Sequence, residues 1–296
     1  MLFNEKYTDL IGFANTCLEK YLPEEKGLPV TFYSAMNYSM RAGGKRIRPI
    51  LIYLTYDLLG GRENRVVEPF MAALEMIHTH SLIHDDLPAL DNDDYRGGRK
   101  TNHIVYGEAM AILAGDGLLN LAYETAVRSF GAAPGDPCVP AALTILACKT
   151  GKNGMLAGQS LDVELDGHPL TTEQLDYIYR NKTGALLSAA LMIGGALAGA
   201  GEPVLEKLEL VGELAGVAFQ IKDDILDVVG DEAVLGKPIG SDQKNEKTTY
   251  VTLYGMEKAK QAVQDLTEQA LSVLDEVIPA PNRLRDLLSD LIERNN

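Results

Sequence analysis

Apolar residues recur at three- and four-residue spacing along almost all of this 296-residue chain, which is the pattern of helices that bury one face. Segments rich in glycine and proline separate the periodic stretches, and no alternating run is long enough to support a sheet. The predicted helices cover residues 5–22, 65–87, 108–130, 140–160, 171–200, 204–230, 256–276 and 281–294. We therefore predict one all-α domain over residues 1–296, without an internal repeat or a disordered linker.

Two predicted helical segments, 185–200 and 211–230, are apolar around most of their circumference. Such helices belong in the middle of a large bundle, where side chains from facing helices can build a metal or ligand site. The first of them is the most apolar run of the chain, but it is short for a membrane span and rich in small residues. A closely packed core helix is expected there, and no membrane insertion.

The composition limits the partners and the compartment. Acidic residues number 42 against 27 basic residues, and the net charge of −15 argues against nucleic acid as a partner. Three scattered cysteines without CxxC spacing predict reduced thiols in a cytoplasmic protein, not a zinc site or a disulfide framework. The N-terminal residues lack the long apolar stretch of a signal peptide. An anionic ligand would need local basic residues or metal ions to overcome the global charge.

Two clusters of aspartates lie at the ends of long apolar segments, where solvated charges are not expected. They are Asp85, Asp86 and Asp91, and Asp223, Asp224 and Asp227. Six carboxylates that converge on one cavity would repel one another unless divalent cations lay between them. Mg²⁺ binds through a few carboxylates together with water and substrate phosphates. The two clusters therefore predict a metal-bound diphosphate. The alternative is an acidic loop at a helix end for the first cluster and a solvated acidic helix face for the second.

The clusters differ in local geometry. Asp223 and Asp227 are one helical turn apart, so the second cluster can share one helix face. Asp85 and Asp91 are six residues apart and would lie on largely opposed faces of a continuous helix. Pro88 interrupts the helical hydrogen bonding between them. We expect the helix to deform or end near the second aspartate, so that Asp91 returns toward the same ion.

Basic residues accompany the aspartates. The segment Gly43-Gly44-Lys45-Arg46-Ile47-Arg48-Pro49 precedes an apolar helix, and its glycines allow the backbone to approach an anion closely. Lys182 lies on an otherwise apolar helix, where a lone lysine needs a partner. The other basic residues that follow an aspartate cluster are Arg96, Arg99, Lys237 and Lys247. Each alone is more often a surface charge, but their repeated association with carboxylates favours an anion site.

These motifs, in this order, resemble those of the polyprenyl diphosphate synthases, the trans-prenyltransferases that join isopentenyl diphosphate to an allylic diphosphate. The resemblance runs nearly end to end, from Gly43-Gly44-Lys45-Arg46 through Lys182-Thr183-Gly184 to Lys247-Thr248-Thr249-Tyr250. The two-residue insertion in the first aspartate motif is similar to that of the short-chain bacterial type. The resemblance implies a single-domain orthogonal helical bundle of the isoprenoid synthase type with a central cavity, a homodimer, and farnesyl diphosphate as the product.

The resemblance also implies roles for individual residues. Three Mg²⁺, with Mn²⁺ as a substitute, would be held on the allylic diphosphate by Asp85, Asp86, Asp91 and Asp223, with Asp224 and Asp227 close by. The same diphosphate would be bound by Arg96, Lys182, Lys237 and Lys247. Isopentenyl diphosphate would be bound by Gly44, Lys45, Arg48 and His78. Thr183 and Gln220 would lie near the allylic carbons, so that the implied catalytic set is Lys182, Thr183, Gln220 and Lys237. Gln159 and Asp162 would lie further along the same cavity.

The implied chemistry is ionisation, condensation and elimination. Metal ions and basic residues stabilise the departing diphosphate of a dimethylallyl or geranyl substrate, and the allylic C–O bond breaks. Apolar helices keep water from the resulting carbocation. The double bond of isopentenyl diphosphate then attacks the cation, and the released diphosphate takes up the proton that is lost.

Two positions depart from the family pattern. The family usually has two consecutive arginines after the first aspartate motif, whereas here the second is Gly97, and Arg99 is the hypothetical replacement. Five residues before Asp85, members that make the fifteen-carbon product commonly carry an aromatic residue that closes the cavity floor. His80, followed by Ser81, stands there in this chain. Because imidazole is smaller than phenol, some twenty-carbon product is expected unless His80 packs to the same effect.

Four alternatives remain open. A geranylgeranyl diphosphate synthase of the same family would differ in cavity depth and not in catalytic motifs. A terpene cyclase would share the metal-bound diphosphate but would not need Lys45, Arg48 and His78. A non-catalytic partner subunit should have lost aspartates that this chain keeps. A generic acidic interaction protein would not explain lysines and aspartates on apolar helices.

Overall fold

The computed structural model of the chain describes residues 3–229 and 248–293, and nearly all of its regular structure is helical. The first helices are α1 (Phe3–Lys6), α2 (Thr8–Glu19), α3 (Val30–Met40), α4 (Ile47–Leu58), α5 (Asn64–Asp85), α6 (Asn102–Tyr106), α7 (Glu108–Ala126) and α8 (Arg128–Ala132). The later ones are α9 (Cys138–Thr150), α10 (Met155–Glu164), α11 (Thr172–Ile178), a π-helix (Tyr179–Gly184), α12 (Ala185–Leu197), α13 (Glu202–Val229), α14 (Tyr250–Tyr254), α15 (Met256–Asp275) and α16 (Arg283–Glu293). A two-residue antiparallel pair, β1 (Tyr95–Arg96) and β2 (Arg99–Lys100), is the only sheet in the described part. The predicted all-α class is confirmed.

The chain divides into two compact units. The first contains Met1–Tyr53 and Arg62–Val139. Its central helix is α5, which contacts α2, α3, α7 and α8. Val67, Phe70 and Leu74 of α5 are fully buried. Helix α5 is buried without interruption from Val66 to Ile77, and its last turn, which is only partly buried, carries the first aspartate of the motif.

The second unit contains Leu54–Gly61 and Pro140–Asn296, and α13 is its central helix. This helix contacts α12, α15, α16 and the π-helix. A Cβ on Gly212 or Gly216 would lie 2.3 Å from a backbone atom of α12 or of the π-helix, so these helices pack backbone against backbone. Since nearly all of α12 is buried, the prediction of a closely packed core helix is confirmed. Within the described ranges, no helix combines the length and the apolarity needed to cross a bilayer.

Two local predictions were wrong, and one helix of 11 residues was missed. The helix predicted over 140–160 is two helices, because Gly154 passes so close to Lys149 that a Cβ would lie 1.9 Å from its carbonyl oxygen. The helix predicted over 171–200 contains the π-helical segment at its centre. Helix α3 was not predicted at all. Its buried face includes Asn37, whose amide donates to the Pro23 carbonyl and to Glu25, and a buried polar residue breaks the apolar pattern.

Candidate active site

The first aspartate motif folds back on itself after α5. The helix ends at Asp85, and the chain turns through Pro88 so that the Asp91 N–H donates to the Asp85 carbonyl at 2.8 Å. Asn92 then adopts a left-handed conformation (φ 53°) and donates to the Leu87 carbonyl at 3.1 Å. The predicted interruption at Pro88 is confirmed. Two aspartates that a continuous helix would separate are therefore brought together by a backbone hydrogen bond.

Asp86 is buried and pairs with Arg96. The Arg96 Nε and Nη2 atoms lie 2.7 and 2.6 Å from the same Asp86 oxygen. Burial raises the pKa of Asp86, and the hydrogen bond and charge of Arg96 act in the opposite direction. Asp93, in the exposed loop, lies 4.0 Å from Arg96 Nη2. The basic residue that follows the motif in sequence therefore contacts the motif directly.

The β1–β2 hairpin explains the glycine where the family pattern has an arginine. Arg96 and Arg99 are paired across the strands, and Gly97 and Gly98 form the two-residue turn with φ of 56° and 76°. A type I′ turn needs positive φ at both central residues, which favours glycine. The guanidinium carbon of Arg99 lies 4.8 Å from the centre of the Tyr38 ring, and its Nη1 donates to the Arg41 carbonyl at 3.3 Å. Arg99 is thereby held beside the chain that leads into Gly43-Gly44-Lys45.

The glycine-rich basic segment and His78 form an electropositive cluster in the first unit. Gly43 and Gly44 have φ of 92° and 124°, so the segment uses conformations that favour glycine. Burial lowers the pKa of His78 well below its usual range, and the charges of Arg48, Arg96 and Arg46 lower it further. The imidazole is therefore neutral at pH 7. The Nε atom of Arg48 is shielded from solvent and has no hydrogen-bond partner among the described residues. A buried donor of this kind suits an anion that the protein alone does not supply.

The second aspartate motif lies on one continuous helix, as its spacing predicts. Asp224 and Asp227 are buried on α13, and Asp223 is half-buried. The Oδ2 atom of Asp224 accepts from the Tyr179 hydroxyl at 2.5 Å and from the Tyr250 N–H at 2.9 Å. Asp224 therefore joins the π-helix and the start of α14 to the motif. Neither tyrosine was predicted as part of the site, since they lie 45 and 26 residues away in sequence.

The carboxylates suit a hard divalent cation in their chemistry. Both motifs offer oxygen donors alone, and the turn at Pro88 brings a second aspartate back to the first. Within residues 3–229 and 248–293, no three histidine, cysteine, aspartate or glutamate side chains are arranged around a common metal position. The donor type therefore fits Mg²⁺, and the described carboxylates do not by themselves form a closed coordination shell.

Lys182 has the acidic partner that its place on an apolar helix predicts. Its Nζ lies 2.6 Å from Asp162 Oδ2 on α10, within the second unit. Thr183 donates from its hydroxyl to Gln220 Oε1 at 3.0 Å. A Cβ on Gly158 would lie 2.2 Å from the Lys182 backbone nitrogen, so α10 packs directly on the π-helix. π-Helical turns frequently occur at functional sites, and this one presents two predicted site residues in succession.

His80 is buried in the first unit and is fixed on two sides. Its Nδ1 lies 3.1 Å from the Gly115 carbonyl oxygen, and its ring packs edge-on against His84 at 4.6 Å between centroids. Burial and the neighbouring His84 lower the pKa of His80 to about 4, so the ring is neutral at pH 7. Ser81 donates to the His78 carbonyl at 2.9 Å. Lys237 and Lys247 lie outside the described residues.

Comparison with known proteins identifies the family of the chain. The family model for polyprenyl synthetase matches residues 29–279. The chain is 42% identical over 295 residues to farnesyl diphosphate synthase of Micrococcus luteus, covering 100% of this chain and 98% of that protein. It is 42% identical over 283 residues to geranylgeranyl diphosphate synthase of Cyanophora paradoxa, covering 94% and 92%.

Solved structures give the same result for the fold. Geranyltransferase from Helicobacter pylori, complexed with magnesium and isoprenyl diphosphate, superposes with a TM-score of 0.84 at 30% identity and covers 99% of this chain and 97% of its own. An apo FPP/GFPP synthase from Zymomonas mobilis gives a TM-score of 0.83 at 29% identity, with 98% and 97% coverage. From its aspartate motifs to its helical fold, the chain belongs to the polyprenyl synthetase family.

Proposed function

We propose that this protein is a Mg²⁺-dependent short-chain trans-prenyltransferase that condenses isopentenyl diphosphate with dimethylallyl and geranyl diphosphate to farnesyl diphosphate. The observation that carries the proposal is the turn at Pro88, which returns Asp91 to Asp85 beside the cluster of Arg48, His78 and Arg96. Carboxylates for a cation and basic groups for an anion then lie in one unit of the fold. Family membership and relatives named farnesyl diphosphate synthase support the same activity.

The allylic diphosphate would be held by metal ions and basic residues. We propose that three Mg²⁺ bind to Asp85, Asp86, Asp91, Asp223, Asp224 and Asp227, and that Mn²⁺ can replace them. When bound, the ions would neutralise charge on the departing diphosphate. Lys182, together with Arg96, Lys237 and Lys247, would hydrogen-bond the same group. Asp162 supports this role, because it holds the Lys182 ammonium at 2.6 Å and so limits the positions that the lysine can adopt.

Thr183 and Gln220 would act on the allylic cation. The C–O bond breaks with its electron pair on the diphosphate, and the cation is left facing oxygen dipoles in an apolar surrounding. The hydrogen bond between the Thr183 hydroxyl and Gln220 Oε1 fixes both groups. The double bond of isopentenyl diphosphate supplies the electrons of the new C–C bond. The released diphosphate accepts the proton from the adjacent carbon, and the new double bond forms.

The second diphosphate would be bound by Gly44, Lys45, Arg48, His78 and Arg99. The Arg48 Nε supports this assignment, because it is shielded from solvent and has no hydrogen-bond partner within residues 3–229 and 248–293. His78 is neutral at pH 7, so it would bind phosphate as a hydrogen-bond donor and not as a cation. Such a site recognises a substrate that keeps its diphosphate throughout the reaction.

A direct assay tests the whole proposal. Purified protein with Mg²⁺, isopentenyl diphosphate and either dimethylallyl or geranyl diphosphate is expected to release diphosphate and to give farnesyl diphosphate by product chromatography. A geranylgeranyl product from the same primers would favour the alternative synthase. No diphosphate release with any allylic primer would favour the non-catalytic partner subunit and would overturn the proposal.

Arg99 is expected to replace the missing second arginine. We predict that Arg99→Gln raises the KM for isopentenyl diphosphate about tenfold, the effect of losing one charge-assisted hydrogen bond. Lys100→Gln on the same exposed strand is the control and should leave this KM unchanged. Gly97→Arg should strain the turn, since a side chain at φ 56° costs about 1 kcal/mol. An unchanged KM in Arg99→Gln would remove Arg99 from the site.

His80 is expected to control the length of the product. His80→Ala removes a buried ring and should shift the product from fifteen toward twenty carbons, whereas His80→Tyr should keep the fifteen-carbon product. Ser81, the next residue, is the other member of the predicted chain-length pair, and Ser81→Ala should shift the profile less than His80→Ala, because it removes only one hydroxyl. Identical product profiles for all three variants would show that the cavity floor lies elsewhere.

Three further properties belong to the same proposal. We propose that the chain forms a homodimer, which the exposed Ile112 and Leu113 on α7 support. Light scattering during gel filtration would measure the mass of the particle and so test this assembly. The family match over residues 29–279 supports a single functional domain, although the chain folds as two compact units. A cytoplasmic location stays a prediction.

A further inference from the structure

Arg46 is one of the most enclosed charged residues of the first unit, and no step above uses it. It lies in the glycine-rich basic segment between Lys45 and Arg48 and is only 6% exposed. Its backbone is left-handed (φ 49°), which is uncommon for a residue other than glycine. A strained residue of this kind persists only where its surroundings hold it, and such residues cluster at functional sites.

Three helices hold the Arg46 guanidinium. Its Nε donates to Asn15 of α2 at 2.9 Å, its Nη2 to the Met40 carbonyl of α3 at 2.5 Å, and its Nη1 to Glu75 Oε1 of α5 at 2.9 Å. Glu75 is 5% exposed and lies one turn before His78 on α5. The Arg46 guanidinium is therefore bonded to Glu75, which lies one helical turn from His78, a proposed substrate ligand.

Glu75 accepts a hydrogen bond from Arg46, and its negative charge also acts on Arg48. Burial lowers the pKa of Arg48, and the negative charge of Glu75 acts against that shift. Arg48 follows Arg46 by two residues, and Arg46 contacts Glu75 directly at 2.9 Å. The second oxygen of Glu75, Oε2, is buried and has no hydrogen-bond partner among the described residues, and neither has Arg48 Nε. Both atoms are shielded from solvent: the acceptor belongs to the carboxylate that Arg46 contacts, and the donor lies two residues after Arg46 in the chain. If Glu75 carried an uncompensated charge, Arg48 would be drawn to it.

We infer that Arg46 is a positioning residue for the isopentenyl diphosphate site, because it neutralises Glu75 and so leaves the Arg48 guanidinium available to the second diphosphate. This inference rests on the proposed function. Arg46 itself does not touch the substrate in this role. Its charge determines whether Arg48 pairs with the Glu75 carboxylate or binds the diphosphate.

A pair of substitutions separates this role from a purely structural one. Arg46→Gln keeps a residue other than glycine in the left-handed backbone conformation, but it removes the positive charge that compensates the Glu75 carboxylate. We expect the KM for isopentenyl diphosphate to rise about tenfold, with kcat and the KM for geranyl diphosphate changed less than about threefold. In Arg46→Gln/Glu75→Gln the charge that diverts Arg48 is gone, and the KM should return to within about threefold of the unaltered protein. Calorimetric titration with isopentenyl diphosphate alone should give the same ratios.

Lys20→Gln is the matched control. Lys20 pairs with Glu68 at 2.8 Å, and Glu68 is a buried carboxylate on the same helix, seven residues before Glu75. This variant should lower the melting temperature and leave the KM for isopentenyl diphosphate unchanged. Arg46→Lys, which keeps a positive charge beside Glu75, should also stay within about threefold. It gives an answer even where Arg46→Gln fails to fold.

Several results would overturn the inference. The first is a KM for isopentenyl diphosphate in the double variant as high as that in Arg46→Gln. The second is an unchanged KM in folded Arg46→Gln. The third is a large rise of the KM in Arg46→Lys. Failure of the proposed function is recognised separately, because the unaltered protein would then form no product. If the unaltered protein is active and any of the three results is found, only the proposed role of Arg46 is rejected.

Discussion

Asp85→Asn is expected to lower kcat/KM by about a thousandfold, which corresponds to a loss of about 4 kcal/mol of transition-state stabilisation. Asparagine keeps the size of the side chain and leaves the backbone bond from the Asp91 N–H to the Asp85 carbonyl intact. The turn at Pro88 should therefore persist, while the variant loses a negative oxygen donor. A hard cation binds an amide oxygen more weakly than a carboxylate, so the variant should also need more Mg²⁺ for half-maximal rate.

Asp94→Asn controls for the change in net charge. Asp94 is exposed in the loop after the motif, and its backbone carbonyl accepts from the Thr101 N–H at 3.0 Å, a bond that the substitution keeps. Its kcat/KM should change less than about twofold, as for most surface substitutions. Initial rates at several Mg²⁺ concentrations, with circular dichroism to check folding, measure both variants. A folded Asp85→Asn protein with more than a tenth of the normal kcat/KM and an unchanged Mg²⁺ requirement would remove Asp85 from the metal site.

The second large effect is expected for Lys182→Met. Methionine fills a similar volume but cannot donate to the departing diphosphate, so kcat should fall about a hundredfold, as when one donor to a developing charge is removed. The KM for isopentenyl diphosphate should change little, because the second diphosphate is bound by other residues. Asp162 loses its partner at 2.6 Å, yet about 30% of each side chain is exposed. Stability should therefore fall only slightly.

Lys149→Met is the matched control in the same unit. Lys149 is more buried than Lys182 and pairs with Glu209 on α13, so the substitution removes an equivalent ion pair next to the same central helix. Its kcat should stay within about threefold, while its melting temperature falls at least as much as that of Lys182→Met. Steady-state kinetics with geranyl diphosphate, together with thermal unfolding, provide the comparison. Equal losses of kcat in the two lysine variants would show that Lys182 acts on stability and not on the diphosphate.

Local features of the site could be predicted from the sequence because they depend on neighbouring residues. Proline geometry sets the interruption at Pro88, and Thr171 begins helix α11 with a full capping box that involves Gln174, three residues further on. The need of Lys182 for an acidic partner follows from the apolar helix around it. In each case, the residues that determine the feature lie close together in the chain, so the sequence pattern is enough to predict it.

Partners across the fold could not be predicted in the same way. Asp162 lies 20 residues from Lys182, and Tyr179 lies 45 residues from Asp224. Periodicity says which face of a helix is buried but not which residue of another helix meets that face. The π-helix was missed for a related reason, since its wider turn follows from the packing of α10 and α13 against it.

The sequence by itself determined the helical class, the two aspartate motifs, the basic segments and the break at Pro88, because spacing and local backbone geometry are properties of short stretches. The tertiary structure decided which charges are paired and which are left for a ligand. It assigns Arg96 to Asp86 and Arg46 to Glu75, and it leaves the Arg48 Nε without a partner among the described residues. That distinction depends on distances of about 3 Å between residues far apart in the chain, and only the packing of helices sets such distances.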